Sequence, residues 1–255
     1  MRRMSTTGEA SRRRDLSNLP TNHGFRLRGV EMTRIETFTD AAFAFALTLL
    51  VISFEVPTRF DELVRRLYDI PAFAMSFALL MIFWYGHHVW SRRYGLDDLT
   101  TVFLSCVLVF TVLVYVYPLK FLAGSFFVWF AYLTGMTIPP NAPRIDADEL
   151  NPMFIVYGIG FVSMSTTLVL LYAHAWRRRV ELELNELERY ITKCEVVSWL
   201  IVIGVGLLSI TLALAVPANM FGVPGWAYAL LAIVMPIFGV VTDRRIRALR
   251  ESGAA

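Results

Sequence analysis

Cysteine is scarce in this sequence: Cys106 and Cys194 are the two present, one inside an apolar run and the other in a basic loop. Such a pair supports no disulfide framework. A glycine-rich nucleotide loop, a low-complexity tract and a stretch composed like a soluble domain are all missing. The first apolar run follows a long polar stretch and ends without a small-residue cleavage site, so no signal peptide is expected there. Polar surface is the largest shortage. Of the 255 residues, 56% are hydrophobic, and the mean hydropathy is +0.54. A soluble domain of this length needs more polar residues than that to cover itself.

Apolar runs fill the chain instead. They cover roughly Arg34 to Pro57, Ile70 to Val89, Thr100 to Leu119, Met153 to Ala175, Val196 to Val216 and Val223 to Val241. A helix needs about 20 residues to cross a bilayer. The sequence therefore predicts an all-α membrane protein with six transmembrane helices. Residues 34–243 form the membrane domain, between basic tails at 1–33 and 244–255. A further run, Phe121 to Thr137, is apolar enough to be a seventh span, but that would place Arg177, Arg178 and Arg179 outside. It reads instead as an outward extension of the third helix past Pro118, or as an interfacial piece carrying Trp129 and Tyr132.

Lys and Arg placement sets the orientation. With six spans, one side receives the tail from Arg2 to Arg34, Arg92 and Arg93, the loop from Arg177 to Lys193, and the tail from Arg244 to Arg250. The other side keeps Arg59, Arg65, Arg66, Lys120 and Arg144, mixed with acids. Both termini are expected in the cytoplasm. The net charge of +3 says little by itself; the arginine-rich tails read as topology signals and lipid contacts, with no nucleic-acid partner. The basic loop has helical spacing at Val180, Leu184, Leu187 and Ile191, which predicts that it prolongs the fourth and fifth helices.

The opening run, RIETFTDAAFAFALTLLVISFEVP, has two different faces. At about 100° per residue, Phe38, Ala41, Phe45, Thr48, Leu49, Ile52 and Val56 lie within about 60° of one line. Glu36 and Asp40 point the opposite way, and Ala42, Ala44 and Ala46 keep the flank thin enough for close helix approach. A carboxylate at the level of Asp40 needs a partner, because an uncompensated charge in hydrocarbon costs at least a few kcal/mol. Arg34, His87 and His88 are the candidates. Such a cluster either pins the first helix to the second or takes part in proton-linked or ion-binding chemistry.

Arg34, then Phe38-Thr39-Asp40, then an alanine-rich helix continuing ALTLLVI, resembles the signature of the transmembrane protein 175 family of potassium channels. That motif is Arg-x-x-x-Phe-Ser-Asp; Thr39 keeps the hydroxyl in place of serine. FWYGHHVW resembles the family's second-helix Trp-x-x-His pattern through Trp84 and His87. The resemblance implies a homotetramer in the plasma membrane of a prokaryote, with a central pore lined by the first helix of each six-helix subunit. Lipid and monovalent cations would be its partners, potassium the permeant ion, and no cofactor would be needed. It implies a hydrophobic constriction at Phe45, Leu49 and Ile52 with a threonine layer at Thr48. Arg34, Phe38, Thr39, Asp40, Trp84 and His87 would form the network that holds the pore helix. Phe45 departs from the family's usual Ile or Leu, and four rings at one level would narrow or plug the pore. The chain contains neither a Thr-Val-Gly-Tyr-Gly filter nor an acid on the stripe, which agrees with a pore of this kind.

Other polar features read more plainly. His87 and His88 resemble haem or metal ligands, but paired ligation needs facing histidines, and His174 is the only other one in the membrane region. Ser163, Ser165, Thr166 and Thr167 suggest hydrogen bonds between helices. Gly158, Gly160, Gly204 and Gly206 suggest close packing, Pro118 and Pro236 suggest bends, and Glu55 is either a solvated helix end or a cation attractor. A proton-coupled transporter is the alternative to a channel, although no internal repeat supports it. An enzyme would need paired catalytic groups at one depth, and only Asp40 with His87 or His88 comes near that.

Overall fold

The computed structural model describes residues 18–52, 58–67, 69–135, 146, 148–217 and 222–251. These form two short strands, β1 (Thr21–Asn22) and β2 (Phe25–Arg26), and eight helices. The helices are α1 (Arg34–Ile52), α2 (Phe60–Leu67), α3 (Ile70–Tyr94), α4 (Leu99–Thr134), α5 (Leu150–Arg177), α6 (Glu186–Ala215), α7 (Val223–Trp226) and α8 (Ala229–Glu251). Among the described residues, α3, α4, α5, α6 and the stretch Val223–Glu251 are long and apolar enough to cross a membrane. The remaining run, α1, falls outside that group; it has 19 residues and carries Arg34, Glu36 and Asp40 in its first two turns.

Helix α4 has 36 residues, which at about 1.5 Å each exceeds the roughly 30 Å hydrocarbon core by several turns. It absorbs most of the ambiguous run from Phe121 as a direct extension past Pro118, and ends where Gly135 adopts φ 68°. Pro118 has no N–H to give the preceding turn, yet the helix continues through it. Pro236 likewise lies inside α8.

The loop after α5 corrects one expectation. Val180 lies in a turn and Leu184 in irregular backbone, so the fourth helix is not prolonged, whereas Leu187 and Ile191 lie in α6, which prolongs the fifth. A new helix starts at Glu186 because Asn185 caps it: its side chain accepts from the Glu188 N–H while the Glu188 side chain accepts from the Asn185 N–H. Cys194 accordingly sits inside α6 rather than in a loop. Neither cysteine is disulfide-bonded.

Helices α5 and α6 make the most extensive helix pair, and glycine allows it. A Cβ on Gly158 would lie 2.3 Å from Ile210 Cγ1, and one on Gly206 would lie 2.7 Å from Val162 Cγ2. Gly160 faces the Tyr115 ring of α4 in the same way, whereas Gly204 has nothing near it. Three of the α5 hydroxyls expected to bridge helices bond within α5 instead. Ser163, Ser165 and Thr167 donate to the carbonyls of Ile159, Phe161 and Ser163 in their own helix. Each satisfies itself one turn back, a local alternative always open to Ser and Thr.

The ends of α3, α5, α6 and α8 rich in arginine gather on one side, here the basic end, and a strap crosses it. β1 and β2 form a hairpin through His23 and Gly24, both at positive φ. Glu188 holds it: its carboxylate accepts from the Arg26 N–H and guanidinium and from the Arg28 guanidinium, at 2.8–3.1 Å. Phe25 is buried edge-on against Tyr94, with ring centroids 5.6 Å apart. The strap then lies along the end of α3, where Arg28 and Gly29 N–H groups donate to the Arg93 and Arg92 carbonyls. Close approach requires two glycines here. A Cβ on Gly29 would meet the Ser91 carbonyl oxygen at 2.5 Å, and Gly95, at φ 58°, faces the Arg28 backbone at 2.8 Å.

Candidate pore helix and its polar anchor

Thr33 starts α1 by accepting the Glu36 N–H through its hydroxyl. The helix then packs one face against α3 and α4. Glu36, Thr39, Phe43, Ala46 and Leu50 are buried on that face. The opposite face is open: Phe38 is 53% exposed, Phe45 56% and Val51 50%, and Ala41, Ala44 and Thr48 are exposed with them. The exposed arc is therefore rotated from the expected stripe toward Thr48 and Val51. Leu49 is half-buried and packs on the core. Ile52 ends the helix, and its side chain, with Glu55 and Val56, lies outside the described residues. The Thr48 hydroxyl donates to the Phe45 carbonyl at 2.7 Å, leaving its oxygen lone pairs on the open face.

Asp40 finds a different partner from those expected. The Trp84 indole N–H donates to its Oδ1 at 2.8 Å, joining α1 to α3. The Trp84 ring in turn stacks on His88, with centroids 5.2 Å apart and planes 18° apart. His88 Nδ1 lies 3.8 Å from Glu36 Oε1, an ion-pair distance when the imidazole is protonated and too long for a hydrogen bond. Both Glu36 oxygens are buried without a hydrogen-bond partner among the described residues. His87 instead meets the Ser105 hydroxyl of α4 at 3.0 Å. Thr39 donates to the Ile35 carbonyl within its own helix. Arg34 is exposed.

The structure thus brings Asp40, Trp84 and Glu36 together behind α1, with His88. His87 turns to α4, and Phe38 and Arg34 face outward. The pairing of Glu36 with His88 and of His87 with Ser105 was not read from the sequence. The apolar spacing of α1 already placed Glu36 on the buried face, a signal that it would need a partner.

Two further contacts lock neighbouring elements. Lys120, just beyond Pro118, donates to the Leu50 carbonyl at 3.2 Å, near the carbonyl-rich end of α1. Asp98 caps α4 by accepting the Thr101 N–H and also accepts from His174 at 2.7 Å and Arg178 at 3.0 Å. Burial alone would raise the Asp98 carboxyl, but the bonds from Thr101 and His174 hold it below the ordinary carboxylate range.

Long apolar helices packed through glycine and small residues, with a carboxylate cluster sealed behind one helix, define a multi-pass α-helical membrane protein. Residues 34–118 match the family model described as endosomal/lysosomal potassium channel TMEM175. A potassium channel of Marivirga tractuosa is 36% identical over 236 residues, covering 90% of this chain and 95% of that one. The crystal structure of a variant of the potassium channel MtTMEM175, in complex with a nanobody-MBP fusion, superposes with a TM-score of 0.77 at 34% identity. It covers 89% of this chain and 100% of that one. The fold is shared with a lysosomal potassium-selective channel TMEM175 homolog from Chamaesiphon minutus, at a TM-score of 0.51 and 23% identity over 82% of this chain and 97% of that one. The chain belongs to the TMEM175 family, a family of channels rather than enzymes.

Proposed function

We propose that this protein is a potassium channel of the plasma membrane, built from four copies of a six-helix subunit, with α1 as the sixth span and the pore wall. Both termini then lie in the cytoplasm, with residues 1–33 and 244–255 as basic tails beside the channel domain at 34–243. Family membership supports the activity. The observation that carries the pore assignment is the open face of α1, with Phe38, Phe45 and Thr48 exposed opposite a buried polar anchor.

On this reading Phe45 and Ile52, with the edge of Leu49, form an apolar constriction, and Thr48 offers a ring of hydroxyl oxygens. An ion passing such a ring must shed part of its water, and a narrow apolar ring also dewets and closes without a plug. Potassium holds its water less tightly than sodium, so partial dehydration favours it. Asp40 with Trp84 sets the position and tilt of the helix; of the other residues expected in that network, Thr39 bonds within α1, His87 bonds to α4, and Arg34 and Phe38 face outward. No cofactor enters this reading.

Single-channel recordings from purified protein in planar bilayers, with potassium and sodium on opposite sides, test it. Phe45→Ala and Ile52→Asn should raise conductance and weaken selectivity, and Thr48→Val should weaken selectivity with less effect on opening. Currents indistinguishable from the unsubstituted protein in all three would remove α1 from the pore. The buried Glu36 beside His88 favours one competitor, a proton-coupled carrier. Potassium flux that stops when the proton gradient is collapsed at fixed voltage would establish that reading instead.

A further inference from the structure

A second site lies at the basic end, away from α1. A cavity of about 350 Å³ opens between the end of α5, the start of α6 and the end of α8. Arg179, Arg189, Lys193 and Arg245 line it, with Glu186 as its one acid. The α6 contributors recur at 186, 189, 190 and 193, which is one helix face. Trp176 lines it too, with the Arg179 guanidinium 5.1 Å and the Lys193 ammonium 5.0 Å from its ring. Among the described residues, Arg189, Lys193 and Arg245 are in no ion pair. Other arginines at the basic end are paired with acids, Arg26 and Arg28 with Glu188, Arg93 with Glu195 and Arg178 with Asp98, while Arg92 and Arg250 donate to backbone carbonyls.

What adjoins the cavity narrows the ligand. Along α6 its face continues as Val197, Leu200, Leu207 and Leu208, all exposed. One turn before Arg245 on α8, Val241 is exposed too. A polar, cationic cup therefore opens onto an apolar wall, and the cup carries Trp176 and Tyr190, amphipathic side chains of the kind favoured at a membrane interface. A free phosphate would use the cup and leave the wall bare. A phospholipid uses both.

We propose that this cavity binds the phosphate headgroup of an anionic phospholipid, whose acyl chains lie along α6 and α8. Arg189, Lys193 and Arg245 hold the phosphate oxygens, Arg179 and Trp176 shape the cup, and Glu186 lowers its affinity. The site joins α5, α6 and α8, so an occupied cup braces the basic end. The proposal does not depend on which helix lines the pore.

Native mass spectrometry of delipidated full-length protein tests it. The titrants are phosphatidylglycerol, phosphatidylcholine with the same acyl chains, and glycerol phosphate. Phosphatidylglycerol should bind in preference to phosphatidylcholine. Each of Arg189→Gln, Lys193→Gln and Arg245→Gln should weaken it about fivefold, since one basic residue near an anionic surface contributes about that factor. Glu186→Gln should tighten it, a gain that no folding defect imitates. Equal binding of the two lipids, phosphatidylglycerol affinity untouched by all three arginine and lysine changes, or no gain with Glu186→Gln overturns the site. Glycerol phosphate binding as tightly as phosphatidylglycerol overturns the lipid assignment in favour of a soluble phosphate.

Discussion

Trp84 and Asp40 show how one hydrogen bond decides where a helix sits. The indole N–H is the donor that the Asp40 carboxylate has in hand, and a hydrogen bond to a charged group contributes about 1.5–3 kcal/mol. Trp84→Phe keeps the apolar ring over His88 and removes only the donor. Thermal unfolding of the purified protein should show a loss of that order, while Trp84→Tyr should recover little, because its hydroxyl projects from a different place. Asp40→Asn should lower the yield of assembled protein more than it alters selectivity, since the carboxylate faces α3 and not the open face. Well-assembled protein with altered selectivity alone would put Asp40 in the ion path. Asp98 yields a pH dependence with a definite sign. Its carboxyl is held below its ordinary range in the fold, so its contribution is fully present above that range and is lost as pH falls through the folded value. The stability of Asp98→Asn, followed by thermal melts down an acidic pH series, should fall less steeply than that of the parent.

At the scale of the element, the strap and α1 are one mechanical unit. Only residues 27–33 separate β2 from the first turn of α1, so a strap fixed at the basic end fixes where α1 begins. Glu188 is its charged anchor, beside the Phe25 packing and the backbone bonds to α3. The carboxylate is fully buried and Arg28 is 3% exposed; removing one partner of a buried ion pair costs about 3–5 kcal/mol, because the remaining charges stay desolvated. Glu188→Ala should therefore release the hairpin. Limited proteolysis should then cleave between Asn18 and Val30 at protease concentrations that leave the parent intact. Resistance equal to the parent's would mean that Phe25 and the backbone bonds to Arg92 and Arg93 suffice. Gly95→Ala should act in the same direction, since a Cβ there meets the Arg28 backbone and the residue adopts a left-handed conformation.

For the whole molecule, the testable quantity is sidedness. With Cys106 and Cys194 replaced by serine, single cysteines placed between Pro139 and Pro152 should react with a membrane-impermeant thiol reagent from outside intact cells. Cysteines between Arg177 and Lys193 should react only after permeabilisation. Reaction of the second loop from outside overturns the six-span arrangement. The gathering of Arg177, Arg178, Arg189, Arg244 and Arg250 at one end of the bundle is the spatial counterpart of the charge asymmetry read along the chain.

The place of the apolar runs, one of the two readings of the run past Pro118 and the two-faced character of α1 were legible in the sequence; five of the six runs form helices long and apolar enough to cross a membrane. Each depends on hydropathy and helical period, which are local and additive along the chain. Close packing at Gly158, Gly160 and Gly206 was legible for the same reason. The partner of Asp40 was not, because a helical wheel assigns a direction to a side chain and never the neighbour standing there; that neighbour is 44 residues away. The strap, whose Arg26 meets Glu188 across 162 residues, and the cationic cavity shared by three helix ends have no local period at all. Only the packing of helices against one another decided them, since burying a charge far from its sequence neighbours requires the fold to deliver its counter-charge.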